Sequence, residues 1–373
     1  MYAQIFELFF NYTLINLFVT LLLFCGSFYL SKKIIKFYNL NFNISISLFI
    51  YHNLFFIVYM IYLYKVGTDA LSYFTDYKGY ELVSVRPGQL FMYKISALFH
   101  LTNLEFYNIN YLFSIFSLFC FYLILKIFQD LKIRNKTYFY AIIIFLFIPT
   151  FHFWIMGFSK DTITFICITI ITYQMLNKKN YFIILFFLIL VSCVRLHIGL
   201  IVTVCLLTHL IFNIKNNFTK ILVFFIGAAS ILILLKLLVG SIDSFKTIIT
   251  YLNQFRNQYM DDPNTAIITD SYFIKMFSYL FLPNIFSMRG VDIFFILVTL
   301  ENTFLMYLVI LLFNLESFKF YKYDLYRFNI LLFVLSLFLL SYTTSNIGIA
   351  IRQKWIFLPS LIIFMSAIKF KKF

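Results

Sequence analysis

Charge is scarce in this sequence. Only 12% of its 373 residues are charged, against roughly 25% in a soluble domain, while 62% are hydrophobic and the mean hydropathy is +0.91. That shortage rules out water as the main solvent. Cysteine is thin as well: Cys25, Cys120, Cys167, Cys193 and Cys205 lie singly in or beside apolar segments, without CxxC spacing, and read as small buried hydrophobes. Neither a disulfide framework nor a thiolate metal site is expected. Also missing are HExxH, DxD, GxSxG and GxGxxG, so the sequence offers no zinc-hydrolase, serine-hydrolase or dinucleotide fingerprint and calls for no cofactor. The first apolar run lacks a basic leader and an AxA-like cleavage site, so it is expected to stay as a membrane span.

What the sequence has is apolar length. Runs of about 18 or more apolar residues recur from end to end, each long enough to cross a bilayer as a helix. An all-α, polytopic membrane protein is expected, one membrane domain over residues 1–373 with about eleven spans. Phe and Tyr are abundant, 53 and 28 residues, and the same bias extends to Ile, Asn and Lys, so aromatic stripes carry little functional weight. The net charge of +15 would fit nucleic acid or anionic lipid, and its placement decides between them. Lys32, Lys33 and Lys36, then Lys126, Lys132, Arg134 and Lys136, then Lys178 and Lys179, then Lys215 and Lys220, then Lys319, Lys322 and Arg327 fall around the short loops between apolar runs, with Lys369, Lys371 and Lys372 at the end. Short basic loops stay on the cytoplasmic side. No RNP, zinc-finger or basic-helix pattern accompanies them, so no nucleic-acid partner is expected.

That rule threads the chain with its N-terminus outside and its C-terminus inside. The predicted spans run over 13–30, 42–64, 106–128, 137–156, 162–176, 181–194, 198–212, 221–239, 291–313, 328–345 and 355–368. Two longer stretches fall outside: 65–105, ending in a short surface helix from Gln89 to Leu101, and 240–289, with a helical run from Tyr251 to Tyr259 before the Asp261-Asp262-Pro263 turn. Nearly all acidic residues share that side. Chemistry is therefore expected on the outer face, in loops held by a rigid scaffold.

Several outward residues invite a role beside a plainer reading. Asp69, Asp76, Glu81 and Arg86 alternate with tyrosines, Tyr73 among them, in a pattern suited to sugar hydroxyls; they equally make a solvated loop. Lys160 and Asp161 open a helix, where Ser159 and Asp161 also serve as an ordinary N-terminal cap. Arg195 and His197 stand between two apolar runs. An arginine there costs about 2.5–3.5 kcal/mol on insertion scales, which calls for a partner or an anionic ligand, and its fork suits phosphate. Arg289 and Arg352 end their own spans, where snorkelling to the interface explains them as well. Glu301 lies some way into a span and needs either one of these arginines as its partner or a proton to carry. His52, His100 and His209 read as packing or interfacial residues.

Taken together, these segments resemble a family. Residues 147–161 (FIPTFHFWIMGFSKD) are similar to the Pro…His-Phe-Trp…Gly-Lys-Asp stretch of Wzy-type, EpsG-like polysaccharide polymerases. Residues 194–198 (VRLHI) resemble their Arg-Pro-His segment, and Phe281 to Asn302 their Pro…Glu-Asn segment. Gly67, Asp69 and Tyr73 match an early Gly-x-Asp…Tyr, and the region 346–359 around Arg352 a late arginine-containing stretch. Leu196 stands where the family has Pro, and Ser159 where it has Gly before the Lys-Asp pair.

The resemblance implies a helical membrane fold like that of GT-C glycosyltransferases, in the bacterial inner membrane with its active face periplasmic. It implies an O-antigen or capsule polymerase, which moves a glycan from undecaprenyl diphosphate onto a lipid-linked repeat unit. A flippase and a chain-length regulator of the same pathway would be partners. Asp69, Asp161, His197 and Glu301 are then the candidate bases, and Arg195, Arg289, Arg352, Lys160, Tyr73, Arg86 and His152 the substrate contacts, with no metal. Two other readings stand beside it. A GT-C transferase using a polyprenyl-phosphate sugar expects a close acidic pair, which Asp69 and Asp76 do not make. A lipid-linked oligosaccharide flippase expects internal repeats and helices broken by Gly or Pro at mid-membrane, and neither is evident in the sequence.

Overall fold

In the computed structural model the described residues are 14–67, 69–76, 87–102, 104–133, 135–178, 180–239, 271–285, 293–313 and 324–370. Their regular elements are all helices. In chain order these are α1 (Leu14–Phe37), α2 (Phe42–Val66), α3 (Asp69–Thr75), α4 (Pro87–Leu101), α5 (Phe106–Asp130), α6 (Lys136–Leu146), α7 (Pro149–Trp154), α8 (Lys160–Tyr173), α9 (Tyr181–Val194), α10 (Leu196–Asn213) and α11 (Asn217–Val239). They continue with α12 (Tyr272–Phe281), α13 (Ile293–Leu312), α14 (Asp324–Thr343), α15 (Ile347–Gln353) and α16 (Leu358–Phe370); a π turn follows α8 and a 3-10 turn joins α15 to α16.

The burial pattern is inverted relative to a water-soluble helix. On α12, Phe273, Ile274 and Phe277 are exposed while Lys275 and Ser278 are buried. Along α2, Ile50, Leu54, Ile57, Val58 and Ile61 point outward, and Ser45 and His52 point in. In water such surfaces would aggregate; in lipid they cost nothing. Among the described residues six helices are long and apolar enough to cross a membrane, and a seventh crossing arises if the two helices 347–356 and 358–367, bent by 49°, form one broken span. These account for part of the predicted set. Residues 181–194, 217–233 and 327–343 are apolar but shorter than a full span, and α8 has 14 residues, whereas about 20 are needed for a straight crossing.

The helices gather into two compact units. The first comprises residues up to Asp130 with 146–170 and 193–195; the second comprises 131–145, 171–192 and 196 onward. Within the first, α5 is the organising helix. Its polar residues face inward and bond to its neighbours: Asn108 accepts from Thr20 Oγ1 at 2.9 Å, and Tyr111 donates to Asn53 at 2.8 Å and meets Ser27 at 3.2 Å. In lipid, where apolar surface gives helices no reason to associate, such bonds specify the packing. His52 adds another, its Nε2 lying 3.0 Å from the Ser114 carbonyl and 3.1 Å from Ser117 Oγ. In the second unit α10 packs on α11 and α14, α14 on α12 and α16, and α13 on α12 and α16.

Within the stretch 65–105, the described residues include two helices. Residues 69–75 form α3, and the expected surface helix begins two residues early, at Pro87. His100 on α4 ties the two together, its Nε2 lying 2.9 Å from the Phe74 carbonyl and its ring stacked on Phe74 at 4.3 Å. Of the stretch 240–289, residues 240–270, including the Tyr251–Tyr259 run and the Asp261–Pro263 turn, and residues 286–289 lie outside the described residues.

Candidate functional site

The first unit builds a charged cluster around Tyr73. It starts at the head of α8. Ser159 caps that helix, its Oγ accepting from the Thr162 amide at 3.1 Å, so the plain capping reading holds for Ser159. The turn just before the cap depends on Gly157, whose φ of +71° is the left-handed region that glycine tolerates. A Cβ there would also meet the Tyr59 side chain and stand 2.5 Å from Asn110 Oδ1. With Gly157 in place, Asn110 accepts the Phe158 amide at 2.8 Å, and the tight turn presents Lys160 and Asp161.

Asp161 does more than favour the helix dipole. Its carboxylate is 2% exposed and pairs with Arg195, itself 9% exposed, at the one-residue break between α9 and α10. The arginine thus finds its partner inside the protein. Arg195 Nε is buried and has no hydrogen bond among the described residues. Gly88, in the first turn of α4, lies against the Val194 carbonyl, and a Cβ at 88 would collide with that oxygen. Glycine therefore lets the head of α4 approach the chain beside Arg195.

Tyr73, 3% exposed, is where these groups meet. The Lys160 ammonium lies 5.4 Å above its ring, and the Tyr93 ring stands edge-on at 5.4 Å. Burial raises the Tyr73 hydroxyl well above the ordinary phenol range, the negative charge of Asp69 raises it further, and Arg195 opposes the rise. Tyr93 is also raised, by partial burial and then by Asp76 and Asp69. Both phenols therefore remain protonated donors at neutral pH. Asp69 itself is exposed, on the first turn of α3. Chemically the cluster offers a buried guanidinium and an ammonium for an anion, phenol donors for hydroxyls, and a solvent-facing carboxylate to take a proton.

The second unit holds a different group. Glu301 is buried on α13 within Coulombic reach of the fully buried Lys354, in the 3-10 turn after α15. Lys354 Nζ donates to the Leu280 carbonyl at 3.2 Å and to Asn302 Oδ1, and Asn302 in turn donates to the Pro283 carbonyl at 2.9 Å. Lys275 makes a similar junction, donating to the Tyr342 carbonyl at 3.2 Å and Ser345 Oγ at 3.3 Å. A cation that the structure sets near Glu301 is thus Lys354, two residues beyond Arg352, which sequence reasoning passed over. Asn302, which Lys354 contacts, stands in the sequence only as part of a motif.

The remaining candidates fall as follows. His152 is fully buried in the first unit, with Nδ1 2.8 Å from His52 Nδ1, Nε2 2.7 Å from the Leu146 carbonyl, and its ring stacked on Phe121. Both ring nitrogens are committed to protein groups. His197 and Arg352 are half-buried in the second unit. Arg86 and Arg289 lie outside the described residues. Among the described residues no three His, Cys, Asp or Glu side chains gather in metal-binding fashion. No protein-family model, no curated protein and no solved structure matches the chain.

Proposed function

We propose that this protein is a Wzy-type polysaccharide polymerase: a membrane glycosyltransferase of about eleven spans and GT-C-like architecture, its working face on the periplasmic side of a bacterial inner membrane. One observation carries the reading. Three separated stretches that resemble the family's motifs, those around Asp69 and Tyr73, Lys160 and Asp161, and Arg195, meet at one cluster in the first unit. Arg195, oriented by Asp161, and Lys160 take the diphosphate of the undecaprenyl-diphosphate-linked glycan. The acceptor hydroxyl of a lipid-linked repeat unit attacks the anomeric carbon. As the new glycosidic bond forms, the bond to the diphosphate oxygen breaks, the leaving charge passes to the cationic groups, and the hydroxyl proton passes to a carboxylate. Of the two candidate bases in this unit, Asp69 is preferred, since it is exposed whereas Asp161 is held by Arg195. The reaction calls for no cofactor, and a flippase and a chain-length regulator would act before and beside it.

The test is a deletion strain whose surface polysaccharide is resolved on a gel. Loss of the ladder, with single repeat units still displayed, supports polymerisation. A second reading, a lipid-linked oligosaccharide flippase, draws on the second unit, where a bent helix pair carries Lys354 against Asn302 and Glu301. Loss of all surface sugar, single units included, would favour it over the polymerase.

A further inference from the structure

At the basic end of α1 an open groove of about 750 Å³ runs between α1 and α5, within the ~300–1,000 Å³ typical of small-ligand sites. Ile34, Phe37, Phe119 and Leu123 make its apolar wall, and Lys33 and Lys36 stand on its lining. No carboxylate contributes to it. Neither lysine is in an ion pair among the described residues, whereas Lys126 on α5 is neutralised by Asp130 at 2.7 Å. Lys33 sits 4.7 Å over the Tyr29 ring, and Lys32 4.5 Å over Phe28, so both stems lie along the helix and keep their charge at its surface. The span 18–37 is the least buried of the candidate crossings, 17% of its window being covered by protein, so its apolar side is open to lipid.

We propose that this groove is a specific site for an anionic phospholipid, one acyl chain lying against Ile34, Phe37, Phe119 and Leu123 and the phosphate bound by Lys33 and Lys36. The apolar wall alone would accept any lipid; the unopposed pair of lysines selects a net negative headgroup. The site is independent of the Tyr73 cluster and of the activity assigned to it. A second copy of this chain is the competing occupant, and the charge argues against it, because a twofold contact here would set lysines against lysines.

The experiment uses the purified full-length chain and a phosphatidylglycerol carrying a diazirine at mid-chain, with the matched phosphatidylcholine as control. Photolabel is expected on peptides containing residues 30–38 and 119–123, in excess for phosphatidylglycerol. The Lys33→Ala/Lys36→Ala pair should weaken phosphatidylglycerol binding on the order of thirtyfold, at about 1 kcal/mol per lysine, while Lys33→Arg/Lys36→Arg retains it. Ile34→Trp, which fills the groove and keeps both charges, should reduce labelling by both lipids and serves if the alanine pair does not fold. Equal labelling by the two lipids, label elsewhere on the chain, or disulfide-linked dimers from Phe119→Cys with the groove unlabelled would each overturn the proposal.

Discussion

The guanidinium of Arg195 donates to the carboxylate of Asp161 across 34 positions of sequence, in surroundings where the two side chains are 9% and 2% exposed. A pair so placed resists loss of either member, because the survivor is left as a buried charge, a penalty of about 3–5 kcal/mol. Arg195→Ala and Asp161→Ala should therefore each lower the melting temperature of the purified protein strongly. The double variant should lose less than the sum of the two, by about 0.5–3 kcal/mol of coupling. Strict additivity, or single variants as stable as wild type, would mean that the pair is not formed.

Lys354 and Glu301 invite the same test with a different expectation. Lys354 also donates to Asn302 and to the Leu280 carbonyl, so its loss removes two hydrogen bonds as well as a charge near Glu301, whereas Glu301→Gln removes one charge and keeps the shape. Lys354→Met should lower membrane levels more than Glu301→Gln, and adding Glu301→Gln to Lys354→Met should recover part of the loss. If Glu301→Gln alone abolishes polymer while protein levels stay normal, Glu301 acts in the chemistry and not as a counter-ion.

The glycines give a third prediction with an internal control. Gly157→Ala puts a Cβ into a left-handed turn and against Tyr59 and Asn110, displacing the acceptor of the Phe158 amide. It should cost at least about 1–3 kcal/mol and disturb the presentation of Lys160 and Asp161. Gly88→Ala should separate α4 from Val194. Gly26, in the interior of α1, has nothing within 4 Å of its missing Cβ, so Gly26→Ala should be tolerated or slightly stabilising. Thermal melts of the three purified variants, measured together, decide the matter; equal melts would refute the steric account.

The order of these effects shows what sequence could and could not disclose. The isolated charge of Arg195 announces a partner, and a break in two apolar runs announces its place, because an unpaired arginine in lipid is costly enough to be diagnostic. Its partner was visible only as a candidate, since Asp161 equally suits a helix start. Lys354 is inconspicuous in sequence because it adjoins Arg352 and Gln353 and reads as the polar end of a span, whereas the chain bends there and buries it completely. His52 read as a lone packing residue for a simpler reason: its partner, His152, lies 100 residues away. Helix α3 was hidden too, because a short polar segment acquires its helix from packing of Tyr73 and Phe74, not from periodicity.

The topology expected from the basic loops can be checked apart from any activity. Reporter fusions at Lys33, Lys132, Lys178, Asn216 and Lys322 should report cytoplasm, and fusions at Thr75 and Asn264 the outside. An outside signal at Lys33 would also move the anionic-lipid groove to the other leaflet. A cytoplasmic signal at Thr75 would place the Tyr73 cluster on the wrong side for a periplasmic polymerase.

The arginines separate the diphosphate reading from simple anchoring. Arg195 is set in a helix break and bound to Asp161, so Arg195→Lys keeps the charge but loses the fork that can hold a carboxylate and a phosphate together. Polymer should fall strongly while the protein still inserts, and Arg195→Ala should be worse. Arg352 is half-buried at the end of α15, and there lysine can reach the interface as well as arginine does. If Arg352 only anchors its helix, Arg352→Lys restores full ladders; if it contacts diphosphate, Arg352→Lys shortens them, and the same contrast applies at Arg289. The measurement is polymer length on a gel from strains expressing each variant at matched membrane levels. Wild-type ladders from Arg195→Lys would end the assignment of Arg195 to the diphosphate, because an ammonium on a four-carbon stem cannot reproduce two parallel hydrogen bonds.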